Sequence, residues 1–155
     1  MHRLKNVWTL VTQDVAMFDF IHNAASGNLV LGERAAKCAL NTLYGKQRDW
    51  KAPEVTKAVL TAPDTVELFF DRIYNWINPF DPPASLLPFE AEDAEGFAKP
   101  VSYETRTETL VLRFDRPLGK DAVLHGAWRS NPGQIVPWDC MRFPIMAFYG
   151  LPVTR

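Results

Sequence analysis

The chain has 155 residues, 47% of them hydrophobic and 23% charged, with a formal net charge of −1. That length suits one domain, or one domain with a fragment of another, and allows about 68–70% of the unfolded chain's surface to be buried without staples. So small a net charge offers no long-range field for nucleic acid or an anionic membrane. Apolar runs such as Leu68–Phe70 are far too short to span a bilayer.

The N-terminus is basic, but its apolar run is broken by Thr9, Thr12, Gln13 and Asp14, so no signal peptide is expected. Val7–Val15 is rich in β-branched residues and reads as a strand. Residues 16–28 read as a loop ending in Ser26-Gly27-Asn28, with Ser26 as a helix cap. From Leu29 to Tyr44 the period is helical, with Leu31, Ala35, Cys38, Ala39 and Leu43 on one face and Gly45 as the stop. Glu33 and Arg34 fit solvated or ion-paired positions. A lone strand of this kind cannot satisfy its own edges, so something must cover it.

The period then changes. Glu54–Ala62 and Thr65–Arg72 alternate as strands around the turn Ala62-Pro63-Asp64. Asn78–Pro83 reads as a rigid loop, and residues 88–97 (PFEAEDAEGF) as a hairpin with an acidic, solvated tip. Leu110–Asp115, Ala122–Trp128 and Pro144–Gly150 complete a run of short strands. The expected fold is mainly β: residues 1–48 form a strand–loop–helix unit, the one α/β-looking part, and residues 49–155 an antiparallel β-sandwich.

Asp19 and His22 lie three apart in a loop of small residues, where a turn would bring carboxylate and imidazole together. That pair suits proton transfer to and from a hydroxyl nucleophile. Taken alone, a DxxH pattern better suits a turn Asp and a surface His. The serines Ser26, Ser85, Ser102 and Ser130 sit in no Gly-x-Ser-x-Gly setting, so no complete triad is expected. His2, His22 and His125 are too dispersed for zinc, and Glu90, Glu92, Asp93 and Glu95 lack the spacing of a calcium loop. No cofactor is implied. Cys38 and Cys140 fit two buried free thiols, with a disulfide left open. Of the aromatic residues that could stack on a sugar, Trp76 and Trp138 beside prolines are the better candidates, with Trp128 read as packing. Arg106, Arg113 or Arg129 could fork a carboxylate, and nothing selects one of them.

Residues 10–45 (LVTQDVAMFDFIHNAASGNLVLGERAAKCALNTLYG), the hairpin 88–97, LHGAWRSNPG at 124–133 and FYGLPVTR at 148–155 together resemble the C-terminal part of the sialate O-acetylesterases. These are carbohydrate esterases with an SGNH-type hydrolase domain, and the resemblance implies that residues 1–48 are the strand–loop–helix fragment of such an α/β domain. The resemblance implies hydrolysis of O-acetyl esters on sialic acid or another sugar. It places His22 at the catalytic base, with Asp19 or Asp14 near the orienting carboxylate. The Asp-to-His spacing of three, common in the wider SGNH group, favours Asp19. It also implies a secreted, periplasmic or lysosomal setting. The chain departs from the family at Asn23, where the family has Pro, and in lacking the nucleophile block, the oxyanion-hole Gly and its Asn.

The reading that follows is a piece of an esterase, inert alone, whose serine comes from a missing segment, a second chain or a second copy. The alternatives are a non-catalytic β-sandwich that holds a glycan or buttresses a partner, and a truncated product that self-associates through Val7–Val15.

Overall fold

Two alternating runs flank Ala62-Pro63-Asp64, and such a turn between strands makes a hairpin. In the computed structural model, which describes residues 4–47, 49–78, 81–129 and 135–155, they form β1 (Val55–Ala62) and β2 (Thr65–Phe70), paired antiparallel from Val55–Phe70 to Ala62–Thr65. The chain divides into two compact units, Met1–Ala52 and Pro53–Arg155.

The second unit is built of strands and loops, with one short 3₁₀ turn, Ala84–Leu86, among its described residues. After β2 come β3 (Phe89–Asp93), β4 (Gly96–Ala98), β5 (Pro100–Thr105), β6 (Thr109–Phe114), β7 (Val123–Gly126) and β8 (Phe148–Thr154). They form one eight-stranded sheet in the order β4-β3-β7-β8-β1-β2-β6-β5. The two edge strands, β4 and β5, follow one another in the chain with only Lys99 between them, so the sheet nearly closes into a barrel. Closure of this kind removes exposed edges.

This corrects the expected antiparallel sandwich. The reason is β8, which pairs antiparallel with β7 and parallel with β1 (Ala58–Val153, Val59–Thr154), welding the two groups of strands into one mixed sheet. Gly150, at φ +68°, lets β8 bend between its two partners. Strand β8 also begins and ends four residues later than the expected Pro144–Gly150, overlapping it at 148–150. Pro144 makes only an isolated bridge to Trp138.

Alternation decides what faces inward. Phe89 and Ala91 of β3, Val66 and Leu68 of β2, Leu110, Leu112 and Phe114 of β6, and Leu124 of β7 build one fully buried core. Gly126 is required there, because an added Cβ would lie 2.3 Å from the Phe148 ring. The acidic run 90–95 is not simply a solvated tip. The buried Asp93 carboxylate takes two bonds of 2.7 Å from Arg116 and a third, of 2.8 Å, from the Gly119 amide. Arg116 first, and the amides after it, hold the Asp93 carboxyl far below the ordinary carboxylate range. The loops after β2 and β7 meet at buried Asp139, which accepts the amide of Tyr74 at 3.4 Å from the first loop and those of Met141 and Phe143, both at 3.0 Å, from its own. The rigid-loop expectation at Asn78–Pro83 falls partly outside the described residues, and Ser130 lies outside them.

The first unit has one helix, α1 (Ala25–Thr42). It starts four residues before the expected Leu29, its N-cap is Ala24, and Ser26 falls in the first turn rather than at the cap. Gly45, at φ +64°, ends it as expected, with the Lys46 amide donating to the Leu40 carbonyl at 2.8 Å. The buried residues are Gly27, Arg34 and Cys38; of the expected stripe Cys38 is buried, Leu31 and Ala39 are half-buried, and Ala35 and Leu43 are exposed. Val7–Val15 is not a strand. A strand exists only as one side of a ladder, and among the described residues no strand pairs with this segment. Residues 13–15 turn instead, and Arg34 takes the Val11 carbonyl at 2.9 Å. The edge on which self-association would depend is therefore not formed.

Candidate functional site

The segment ahead of α1 closes on itself. Met17 and Asn23 form an antiparallel bridge, the Phe18 amide donates to the His22 carbonyl at 2.8 Å, and the Ala24 amide donates to Ala16 at 2.9 Å. Gly27 seats the helix against this loop: a Cβ there would lie 2.6 Å from the Ala16 carbonyl oxygen. At the tip, Asp19 Oδ1 accepts the amides of Ile21 (2.8 Å) and His22 (2.7 Å), an Asx-type turn that leaves Oδ2 free to point elsewhere. It points at the imidazole. His22 Nδ1 lies 2.8 Å from Asp19 Oδ2.

Asp19 and His22 are thus brought together by a loop of their own backbone. The His22 bond first, then the two amides, lowers the Asp19 carboxyl below its ordinary value, so the group is a carboxylate across the neutral range. A carboxylate at Nδ1 favours the tautomer with the proton on Nδ1, which leaves Nε2 able to accept one. The His22 side chain is 67% exposed, so Nε2 is open to a partner.

Asp14, the other carboxylate near this loop in sequence, is engaged elsewhere. Arg34 grips it with two bonds, of 2.7 and 2.6 Å, tying residues 11–14 to α1. Glu33 pairs with Lys37 at 2.7 Å. Ser26 is exposed in the first turn of α1, and Ser85 and Ser102 are exposed in the second unit. Around the Asp19–His22 tip, Phe18 (81%), Phe20 (91%) and Ile21 (65%) stand in the open.

The second unit carries another chemically distinctive surface. On β3 the residues alternating with Phe89 and Ala91 are Glu90 and Glu92, and they register with His125 of β7 and Phe97 of β4. Trp128, just past β7, packs its ring 4.9 Å from Tyr149 of β8 and 6.5 Å from Phe97. Trp128 is therefore more than packing: Nε1 donates to Glu90 at 3.3 Å, and the Arg129 guanidinium lies 4.8 Å over its ring. Of the expected sugar-stacking residues, Trp76 and Trp138 are exposed, as their neighbouring prolines suggested. Phe97 was not anticipated, although the alternation of 89–97 places it outward with Glu90 and Glu92. Arg106 is ion-paired with Glu67 and Glu104, Arg113 with Asp64, and Arg129 with Glu90. Cys38 and Cys140 are free thiols. Among the described residues no group of three His, Cys, Asp or Glu is placed to hold a metal ion, and no helix is long and apolar enough to cross a membrane.

No family model and no curated protein matches the chain. Solved structures do. A stretch of a carbohydrate acetylesterase has this fold. That enzyme, a novel carbohydrate acetylesterase from Xanthomonas citri, superposes with a TM-score of 0.67 at 19% identity over 87% of this chain. The chain spans only 30% of that structure's length. A weaker likeness, TM-score 0.48 at 13% identity, joins 86% of the chain to 17% of an S-layer protein.

Proposed function

We propose that this chain is part of a carbohydrate esterase and supplies Asp19 and His22 as the acid–base pair of a Ser-His-Asp site. The serine would stand on another segment, a second chain or a second copy. The observation that carries the reading is the 2.8 Å contact between His22 Nδ1 and Asp19, made by a loop that leaves Nε2 open. The shared fold with a carbohydrate acetylesterase supports it, as does the resemblance of residues 10–45 to the sialate O-acetylesterases. That resemblance points to an O-acetylated sugar, sialic acid or another, as the substrate.

In this reading His22 Nε2 takes the serine proton as the oxygen attacks the acetyl carbonyl, and Asp19 stabilises the imidazolium formed. The imidazolium returns the proton to the departing sugar hydroxyl, leaving an acetyl-enzyme. Water, deprotonated by the same nitrogen, then releases acetate. The exposed Phe18, Phe20 and Ile21 are the surface that the remainder of the site would cover.

The test is p-nitrophenyl acetate hydrolysis by the chain alone and by the chain joined to the polypeptide encoded upstream of it. The chain alone is expected to match buffer. The joined protein is expected to turn over and to lose about 10²–10⁴-fold in kcat in His22→Ala, the usual worth of a positioned acid–base group. Turnover by the chain alone that vanishes with one of its own serines would overturn the reading, as would joined activity indifferent to His22.

A further inference from the structure

We propose that the outer face of β3, β4, β7 and β8 is a saccharide-binding site that takes an uncharged pyranose unit. This inference is independent of the role given to His22. Three aromatic rings form the platform: Tyr149, 66% exposed, Phe97, 46% exposed, and the half-buried Trp128. Beneath them lies His125, buried, with its ring centre 4.4 Å from that of Tyr149 and 5.2 Å from that of Trp128. Rings of this size left in water forgo a large gain from burial, and a cluster of them marks a surface built to be covered.

The polar groups at the ring edges say by what. Glu90 Oε2 is held by Trp128 Nε1 and by Arg129 Nε at 2.9 Å. His125 Nδ1 accepts the Gly150 amide at 3.0 Å, so its Nε2 carries the proton that meets Glu92 Oε2 at 3.1 Å. Both carboxylates are therefore fixed in direction beside the rings. A pyranose offers a matching surface: an apolar face of C–H groups for the platform, and a rim of hydroxyls for carboxylate acceptors and a guanidinium donor. Next to the platform lies a cleft of about 320 Å³ lined by Ser85, Leu86, Pro88, Lys99 and Pro100, and shared with Glu90, Trp128 and Arg129. It adjoins the platform closely enough for a second sugar unit of the same chain to enter, and its volume is at the small end of ligand sites.

Charge selects a neutral sugar over an acidic one. Arg129, the guanidinium at the platform, is neutralised by Glu90 at 2.8 Å, and Glu92 adds a second carboxylate. The platform therefore holds one carboxylate more than it holds guanidinium groups, and that excess repels a sialic or uronic carboxylate.

The experiment titrates the full chain with xylohexaose, cellohexaose, mannohexaose and 3′-sialyllactose, read by calorimetry and by the assigned indole N–H resonances of the tryptophans. At least one neutral hexasaccharide is expected to bind at millimolar concentration or below and to shift Trp128 Nε1–H. Tyr149→Ala is expected to weaken it about tenfold, a loss of 1.4 kcal/mol, with the protein still folded, since that ring is 66% exposed. Phe97→Ala is the second variant, should the first fail to fold. The proposal is overturned if none of the three neutral sugars binds, if sialyllactose binds more tightly than all of them, if only Trp76 or Trp138 responds, or if both variants bind as the parent does.

Discussion

Phe89 and Phe20 are the same residue treated in opposite ways. Phe89, in the second unit, is 1% exposed within a closed core, whereas Phe20, in the first, is 91% exposed at the tip of the Asp19–His22 loop. The contrast extends to their surroundings. Strands β1 to β8 supply each other's backbone partners, while Val7–Val15 has strand chemistry and no ladder. The second unit holds its fold in its own residues. The first holds a local geometry, a hairpin loop seated on the helix by Gly27 and preceded by residues 11–14 that Arg34 ties to it, and leaves the apolar side chains of the tip, Phe18, Phe20 and Ile21, uncommitted.

The sharpest way to break this comparison is to remove the buried ring. Phe89→Ala is expected to destabilise the second unit by about 3–5 kcal/mol, since it deletes a ring from a filled core and the strands on both sides restrict collapse. Chemical denaturation followed by circular dichroism measures it. A loss below about 1 kcal/mol would mean the sheet is not the self-sufficient unit described here.

A smaller effect tests the polar counterpart. Asp93→Asn removes the charge that Arg116 grips, and about 2 kcal/mol should be lost, below the 3–5 typical of buried pairs because Arg116 keeps some contact with water. The pH signature is specific. The Asp93 carboxyl is depressed in the folded state, so its stabilisation is complete above about pH 4, the unfolded value, and is withdrawn as the solution becomes more acidic. Melting temperature against pH should fall less steeply below about pH 4 in Asp93→Asn than in the parent. Parallel curves would assign the acid sensitivity to other carboxylates.

What could be read from the sequence divides along the same line. The hairpin of β1 and β2 was legible because Ala62-Pro63-Asp64 and the flanking alternation are adjacent in the chain, and so was the hairpin of β3 and β4. The link between Asp19 and His22 spans three residues, and its geometry needs only a turn. What escaped was non-local. The parallel seam of Ala58 with Val153 joins residues at opposite ends of the second unit, and it converts an expected sandwich into one nearly closed sheet. The strand expected at Val7–Val15 failed for the converse reason: its composition is right, but strand identity resides in a partner. Arg34 is buried on α1 because Asp14 and the Val11 carbonyl wait for it, which no helical period could reveal.

The smallest expected effect is the most diagnostic of the comparison. Phe20→Ala in the chain alone should change stability by no more than about 0.5 kcal/mol, because the ring makes no buried contact to lose. The same substitution in a protein that completes the site should not be silent. If the loop tip is covered there, Phe20→Ala removes apolar area from an interface beside His22, and the proton-accepting Nε2 loses part of its enclosure. Comparing kcat with KM in the joined protein separates the outcomes. A lowered kcat at unchanged KM indicates that covering the tip positions the imidazole, and a raised KM alone indicates that Phe20 touches substrate. No effect on either would mean that the open ring at the Asp19–His22 loop serves no ester-cleaving assembly, and that the contrast with Phe89 reflects an unburied residue without a purpose in catalysis.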